Sequence, residues 1–126
     1  MSRFAKTLAA CAIAALLCAI PASAAPPKAS AAGKCGLSPE TQRKLGASYV
    51  MNLSTRRVTC ANARDFVKRY NRCRHRNGGK KGRCGGVRGF RCEERRYNTS
   101  SGLSFDANVL CTRGSQRIRF TYTEIY

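Results

Sequence analysis

The segment between Cys73 and Cys84 carries the residues with the clearest chemical potential in this sequence. It reads CRHRNGGKKGRC, so the ten residues between the two cysteines include five cations and a histidine. Guanidinium and ammonium groups bind phosphate and carboxylate, and guanidinium does so through two parallel hydrogen bonds. We therefore expect a solvated cationic loop that reverses at Asn77-Gly78 and is closed by a Cys73–Cys84 disulfide.

Further cations flank this segment on both sides. Twelve Lys and Arg residues lie between positions 68 and 96, where the acids are Glu93 and Glu94. A soluble surface usually mixes both signs, whereas a one-sided surplus is typical of contact with a polyanion: nucleic acid, an anionic cell-wall polymer or an anionic membrane surface. A merely solvated charged face is the alternative. The predicted binding residues are Lys68, Arg69, Arg72, Arg74, Arg76, Lys80, Lys81, Arg83, Arg88 and Arg91, and the set extends to Arg117 and Arg119.

Acid/base chemistry has few candidate residues in this sequence. His75 is the only histidine, and a neutral-pH mechanism needs two groups that titrate near neutrality. The conceivable catalytic set is His75, Glu93 and Glu94. The sequence lacks a convincing set of nucleophile, base and orienting residue, and it lacks a Gly-rich phosphate loop. We therefore predict a non-enzymatic binding protein without cofactor or small-molecule substrate, and a small hydrolase is the least favoured alternative.

Two alternative functions use the same segment. Zinc would need Cys73, His75, Cys84 and Cys92 as ligands, but Cys-x-His is a poor chelating spacing. A disulfide-closed loop that displays Arg and Lys could instead enter the acidic specificity pocket of a trypsin-like protease. The protein would then be an inhibitor or another protein-binding module.

Charge and the N-terminal pattern predict an exported basic domain. The 126 residues contain 24 Lys and Arg against 6 Asp and Glu, a formal charge of +18. Residues 1–24 are predicted to be a signal peptide that is cleaved after Ala24, and Leu8-Ala9-Ala10-Cys11 leaves a lipoprotein signal as the alternative. Residues 25–33 are a predicted disordered linker. Residues 34–126 form the predicted domain, which we expect to be a secreted monomer.

Six cysteines remain after the predicted cleavage, and their even number in a small exported domain indicates disulfides. Cys73 and Cys84 bound one short Gly-containing loop and are predicted to pair. The expected strand directions then favour a Cys60–Cys92 bond and leave Cys35 to bond with Cys111. A helix shifted by one turn would bring Cys60 towards Cys111 instead.

Hydrophobic periodicity identifies the elements that position these residues. A short helical turn is predicted from Ser38 to Leu45, and a strand over 47–53 places Tyr49, Met51 and Leu53 on one face. A helix over 60–72 carries an apolar stripe, and three period-two strands follow Gly89. The predicted fold class is α+β, with one main helix packed on a small antiparallel sheet of about four strands, stapled by disulfides.

The sequence also resembles a small disulfide-containing domain of unknown function from exported bacterial proteins. The resemblance covers residues 58–120 and is carried by Cys60-Ala61-x-Ala63-Arg64, Gly89-Phe90-x-Cys92, and Cys111 before Ile118-Arg119-Phe120. The segment 73–84 looks like an insertion in this pattern. The resemblance implies the fold and the exported location, and it implies no activity and no site residues.

Overall fold

A computed structural model describes residues 32–126 of the chain. The predicted signal peptide and the first part of the predicted linker lie outside these residues. The described part contains β1 (Gly33–Lys34), α1 (Pro39–Arg43), β2 (Tyr49–Arg56), α2 (Cys60–Arg76), a 3-10 turn (Gly79–Lys81), β3 (Gly86–Val87), β4 (Phe90–Tyr97), β5 (Ser104–Arg113) and β6 (Gln116–Ile125). β1 therefore begins at Gly33, the last residue of the predicted linker.

All six strands belong to one antiparallel sheet in the order β1-β2-β6-β5-β4-β3. The prediction of one main helix on an antiparallel sheet is confirmed. The predicted count of about four strands is too low, because β1 and β3 are two-residue edge strands. Segments this short carry no hydrophobic periodicity, so the sequence pattern does not reveal them.

The period-two pattern after Gly89 places the expected side chains towards the core. Phe105, Ala107, Val109 and Cys111 of β5 are buried, and so are Ile118, Phe120 and Tyr122 of β6. Arg113 and Gln116 pair across a two-residue turn in which Gly114 has φ of 56°. This tight connection makes β5 and β6 an antiparallel hairpin, as the Arg113-Gly114-Ser115 sequence predicts.

β2 differs from the prediction in the direction of its side chains. Tyr49 and Met51 are exposed, whereas Val50 and Leu53 are buried, so Tyr49, Met51 and Leu53 do not share one face. The pairing of β2 with β6 shifts register between Val50 and Asn52. This β-bulge inserts one extra residue, which interrupts the two-residue alternation from which the face was predicted.

α2 covers the inner side of the sheet. The Thr59 side chain accepts a hydrogen bond from the Asn62 amide and caps the helix, which then runs to Arg76 instead of ending at Arg72. Phe66 packs against Phe90 of β4 with ring centroids 4.9 Å apart, and Tyr70 packs edge-on against Phe120 of β6 at 5.2 Å. The core therefore lies between α2 and the inner side of the sheet.

Three disulfides join Cys35 to Cys60, Cys73 to Cys84, and Cys92 to Cys111. The Cys73–Cys84 prediction is confirmed, and the Cys60–Cys92 and Cys35–Cys111 predictions are wrong. Cys92 and Cys111 lie directly opposite each other on β4 and β5. Pairing of β1 with the end of β2 brings Cys35 beside Cys60 at the start of α2. Three disulfides indicate an oxidising, exported environment.

Candidate functional site

Arg74 is the largest departure from the predicted solvated loop. It lies in the last turn of α2 and its side chain is 0 % exposed. Its Nη2 donates to Glu124 Oε2 at 2.6 Å, its Nε donates to Asn71 Oδ1 at 3.1 Å, and its guanidinium lies 4.3 Å from the Tyr122 ring centroid. Its Nη1 also donates to the Lys80 carbonyl at 2.9 Å and to the Gly82 carbonyl at 3.5 Å. Arg74 therefore holds the helix, the following loop and β6 together, and it cannot contact a ligand.

A second carboxylate completes this buried network. Glu94 of β4, with its side chain 4 % exposed, accepts hydrogen bonds from the Tyr70 hydroxyl at 2.7 Å and the Tyr122 hydroxyl at 2.9 Å. Desolvation and hydrogen bonding to Glu94 raise the pKa of Tyr70 far above its ordinary value. Burial also raises the pKa of Tyr122, while the Arg74 charge opposes the shift. Both tyrosines therefore stay protonated in the folded domain.

The loop after α2 is docked on the body of the domain. Gly82 packs so closely on the end of α2 that an added Cβ would lie 1.9 Å from the Arg74 carbonyl oxygen. Arg96 of β4 donates to the Lys81 and Gly82 carbonyls at 2.9 and 2.6 Å. Lys80 Nζ donates to the Ile125 carbonyl at 2.7 Å, and Lys81 Nζ lies over the Tyr126 ring. These contacts hold the backbone of the loop in one place.

The remaining predicted cations divide into two groups on the helix side. Arg69 Nε lies 2.9 Å and Arg88 Nη1 lies 3.4 Å from Asp65 Oδ2. The hydrogen bond from Arg69 lowers the pKa of Asp65. Arg83 lies 3.6 Å from Glu94. Lys68, Arg72 and Arg76 are exposed and have no carboxylate within 4.0 Å among residues 32–126. On the helix side of the described domain, Lys68, Arg72 and Arg76 are therefore the predicted cations that are available to an external anion.

These three free cations line a groove beside the α1–β2 connection. It has a volume of about 540 Å³, and we call it the helix groove; its lining residues are Lys44, Gly46, Lys68, Arg72, His75 and Arg76. Positions 68, 72 and 76 are one helical turn apart, so their side chains lie along one side of α2. Lys44 is paired with Glu40, and His75 Nε2 lies 3.5 Å from Glu124 Oε2. The helix groove thus concentrates positive charge, of which the part carried by Lys68, Arg72 and Arg76 has no acid partner within 4.0 Å among residues 32–126.

The conceivable catalytic set does not assemble. Glu93 is exposed on the outer side of β4, whereas Glu94, the next residue, points into the core. His75 lies beside Glu124 instead of either of them. Cys73, Cys84 and Cys92 are all in disulfides, so the zinc alternative is wrong. Within residues 32–126, no group of three or more His, Cys, Asp or Glu side chains could hold a metal ion.

The buried network was missed at the sequence level, although a signal for it is present. Glu94 continues the inward alternation of Phe90 and Cys92, and Glu124 continues that of Ile118, Phe120 and Tyr122. A carboxylate at an inward position requires a buried partner, because an isolated charge is costly to desolvate. The position of Arg74 on the helix side facing the sheet would then identify that partner.

Comparison of the chain with protein-family models, curated proteins and solved structures finds no match. The resemblance to an exported domain of unknown function therefore stays a prediction. None of the helices among the described residues has the length and apolar character needed to cross a membrane.

Proposed function

We propose that this protein is an exported polyanion-binding domain and that the helix groove is one of its contact surfaces. The observation that carries the proposal is the row of Lys68, Arg72 and Arg76, which is exposed and unpaired among the described residues. Two guanidinium groups and an ammonium group along one helix favour phosphate, sulfate or carboxylate groups spaced along a polymer.

The distribution of acids supports this proposal. Of the six Asp and Glu residues in the sequence, Glu94 and Glu124 point into the core, where they compensate buried partners. Glu40 and Asp65 pair with cations on the helix side. Few acids are therefore left to balance the surface cations, and a positive potential over the surface attracts polyanions and accelerates their association.

The inhibitor alternative receives less support from the geometry. A loop that enters a protease specificity pocket has to present an extended, protruding backbone, whereas residues 79–81 form a 3-10 turn. The Lys80 and Lys81 side chains lie against the end of β6 and the C-terminal residue. We infer that the loop completes the fold instead of filling a protease pocket.

Export fits the predicted signal peptide, which we propose is cleaved after Ala24. The mature chain would then begin with a short segment before β1 and present its cations to anionic polymers outside the cytosol. In such a compartment the candidates are nucleic acid, anionic cell-wall polymers and anionic membrane surfaces.

A salt-resolved binding panel tests the proposal. The probes are a heparin oligosaccharide, a single-stranded DNA oligomer and phosphatidylglycerol vesicles. We expect the logarithm of the affinity to fall linearly with the logarithm of salt concentration, because bound counterions are released. Arg72→Gln/Arg76→Gln should weaken binding of at least one probe about tenfold and reduce its salt slope by roughly one per lost contact.

Arg57→Gln/Arg64→Gln is the matched control, since it removes the same charge at the other end of α2. The control should change affinity less than threefold. Salt-independent binding of every probe, or equal losses in the two variants, would contradict the proposal.

A further inference from the structure

The side of the sheet opposite α2, which we call the open face, is exposed to solvent. Antiparallel pairing aligns residues of β4, β5, β6 and β2 in rows across it. The first row contains Arg91, Thr112, Arg117 and Arg56. The second row contains Glu93, Leu110, Arg119 and Ser54, and Lys34 of β1 lies opposite Ser54. The third row contains Arg95, Asn108, Thr121 and Asn52. Residues that are far apart in the sequence thus form one basic surface.

The open face carries six cations against two acids, Glu93 and Asp106. Among residues 32–126, no carboxylate lies within 4.0 Å of Lys34, Arg56, Arg91, Arg95, Arg117 or Arg119. Arg56 and Arg117 are direct cross-strand partners, and like charges in that position repel each other. An anion bound between them would remove this repulsion.

The shape of the open face suits a single polymer strand. A depression of about 550 Å³ and another of about 350 Å³ share Leu110 and Arg119 in their linings. Their linings together run from Glu93 and Arg95 of β4 to Lys34 of β1. Adjacent rows are about 7 Å apart along a strand, so the three rows span about 14 Å and accommodate one extended polymer strand.

The chemistry beside the cations distinguishes among single-stranded polymers. Asn108 and Asn52 present amide groups in the row next to Arg119, and amide groups hydrogen-bond the edges of bases. The Thr121 hydroxyl between them donates to Asn108 Oδ1 at 2.8 Å and orients that amide. Arginine guanidinium planes and the exposed Tyr97 ring offer surfaces on which bases stack. A sulfated or carboxylated glycan would use the cations but has no planar bases to stack.

From these observations we propose that the open face is a second anion-binding surface and that its ligand is single-stranded nucleic acid. Arg119 lies at the centre of the site because both depressions contact it. Arg117, Arg56, Lys34 and Arg95 surround it and bind phosphates, while the amide row contacts bases. The inference shares with the proposed function the attraction of a cationic protein for polyanions, but it concerns different residues on the opposite side of the domain.

Fluorescence anisotropy with a labelled fifteen-nucleotide oligothymidylate tests this site. Arg117→Thr/Arg119→Thr removes the central cations and retains residues that favour strands. We expect this variant to bind the oligonucleotide at least tenfold more weakly than the wild type. Arg57→Gln/Arg64→Gln should change the affinity less than threefold, and Arg72→Gln/Arg76→Gln should weaken it less than Arg117→Thr/Arg119→Thr does.

The outcomes separate this inference from the proposed function. If Arg72→Gln/Arg76→Gln loses oligonucleotide binding while Arg117→Thr/Arg119→Thr keeps it, the open-face inference is overturned and the helix groove stands. If the wild type binds heparin or vesicles through Arg117 and Arg119 but not the oligonucleotide, the ligand class is wrong. If no probe binds, both proposals fail.

Amide chemical shifts of the wild-type protein provide a measurement that does not depend on a variant. On addition of oligothymidylate, we expect changes at residues 54, 95, 108, 110, 117 and 119. Changes confined to α2 would overturn the assignment to the open face.

Discussion

The helix groove and the open face are both basic, but the fold assembles them in different ways. The cations of the helix groove lie close together in the sequence and on one helix. Their neighbours are partly neutralised, since Arg69 and Arg88 share Asp65 and Lys44 pairs with Glu40. The cations of the open face come from four strands and lack such partners among residues 32–126.

This difference shows that the density of cations along the sequence does not indicate which of them can bind a ligand. The segment 73–84 has the highest density, yet Arg74 is completely buried and the loop around it is docked. The open face has a lower density in the sequence but keeps its charges unpaired. An unpaired surface cation retains its full attraction for a ligand, whereas a buried, paired cation contributes to the fold.

The largest expected effect is the loss of stability when the buried Arg74–Glu124 ion pair is broken. Glu124→Gln leaves the Arg74 guanidinium buried without a counter-charge, which typically costs about 3 to 5 kcal/mol. Urea unfolding monitored by circular dichroism measures the loss. Arg83→Gln is the control, because Arg83 is largely exposed and Glu94 keeps its ion pair with Arg96 when Arg83 is replaced. We expect this control to lose at most about 1 kcal/mol. Similar losses in the two variants would contradict the structural role of Arg74.

Alkaline pH provides a second test of the same network. Tyr70 and Tyr122 keep their protons in the folded domain to a higher pH than in the unfolded chain, so unfolding releases protons in base. Stability should therefore fall as the pH rises above about 10, by about 1.4 kcal/mol for each tyrosine at pH 11.

Tyr122→Phe is the matched comparison for this pH dependence. It should lose about half of the difference in unfolding free energy between pH 9 and pH 11, because one of the two tyrosines no longer ionises on unfolding. Identical pH dependence in the wild type and the variant would show that Tyr122 does not hold its proton as the structure indicates.

The parts of the fold that were predictable are those with a repeating pattern. A helix or strand that packs against the core on one side has a periodic apolar pattern. The apolar stripe of α2 and the alternation in β4, β5 and β6 are patterns of this kind. The side-chain directions in β2 and the Cys35–Cys60 and Cys92–Cys111 disulfides depend on the register of strand pairing. A bulge or a two-residue edge strand changes that register without a signal in the local sequence. For the same reason Arg91, Arg117 and Arg119 were predicted as binding residues, but their alignment with Arg56, Arg95 and Lys34 was not predicted.

The smallest expected effect is the change in stability when Arg117 of the open face is replaced. Its sign shows whether Arg117 stabilises the fold or destabilises the free domain. If Arg117 serves the fold, replacing it should destabilise the domain. If it is retained for a ligand, Arg117→Thr should stabilise the free domain by about 0.2 to 1 kcal/mol, because the repulsion across the Arg56–Arg117 pair disappears.

Salt dependence identifies the origin of that small gain. The gain should shrink as salt is raised to 1 M, where the screening length falls to about 3 Å. Arg57→Gln has no such cross-strand partner and should leave stability unchanged within about 0.5 kcal/mol. Urea unfolding of the three proteins at low and high salt measures both effects. A loss of stability in Arg117→Thr at low salt would mean that the repulsion is already compensated within the domain, and the electrostatic reason for an anion at this position would disappear.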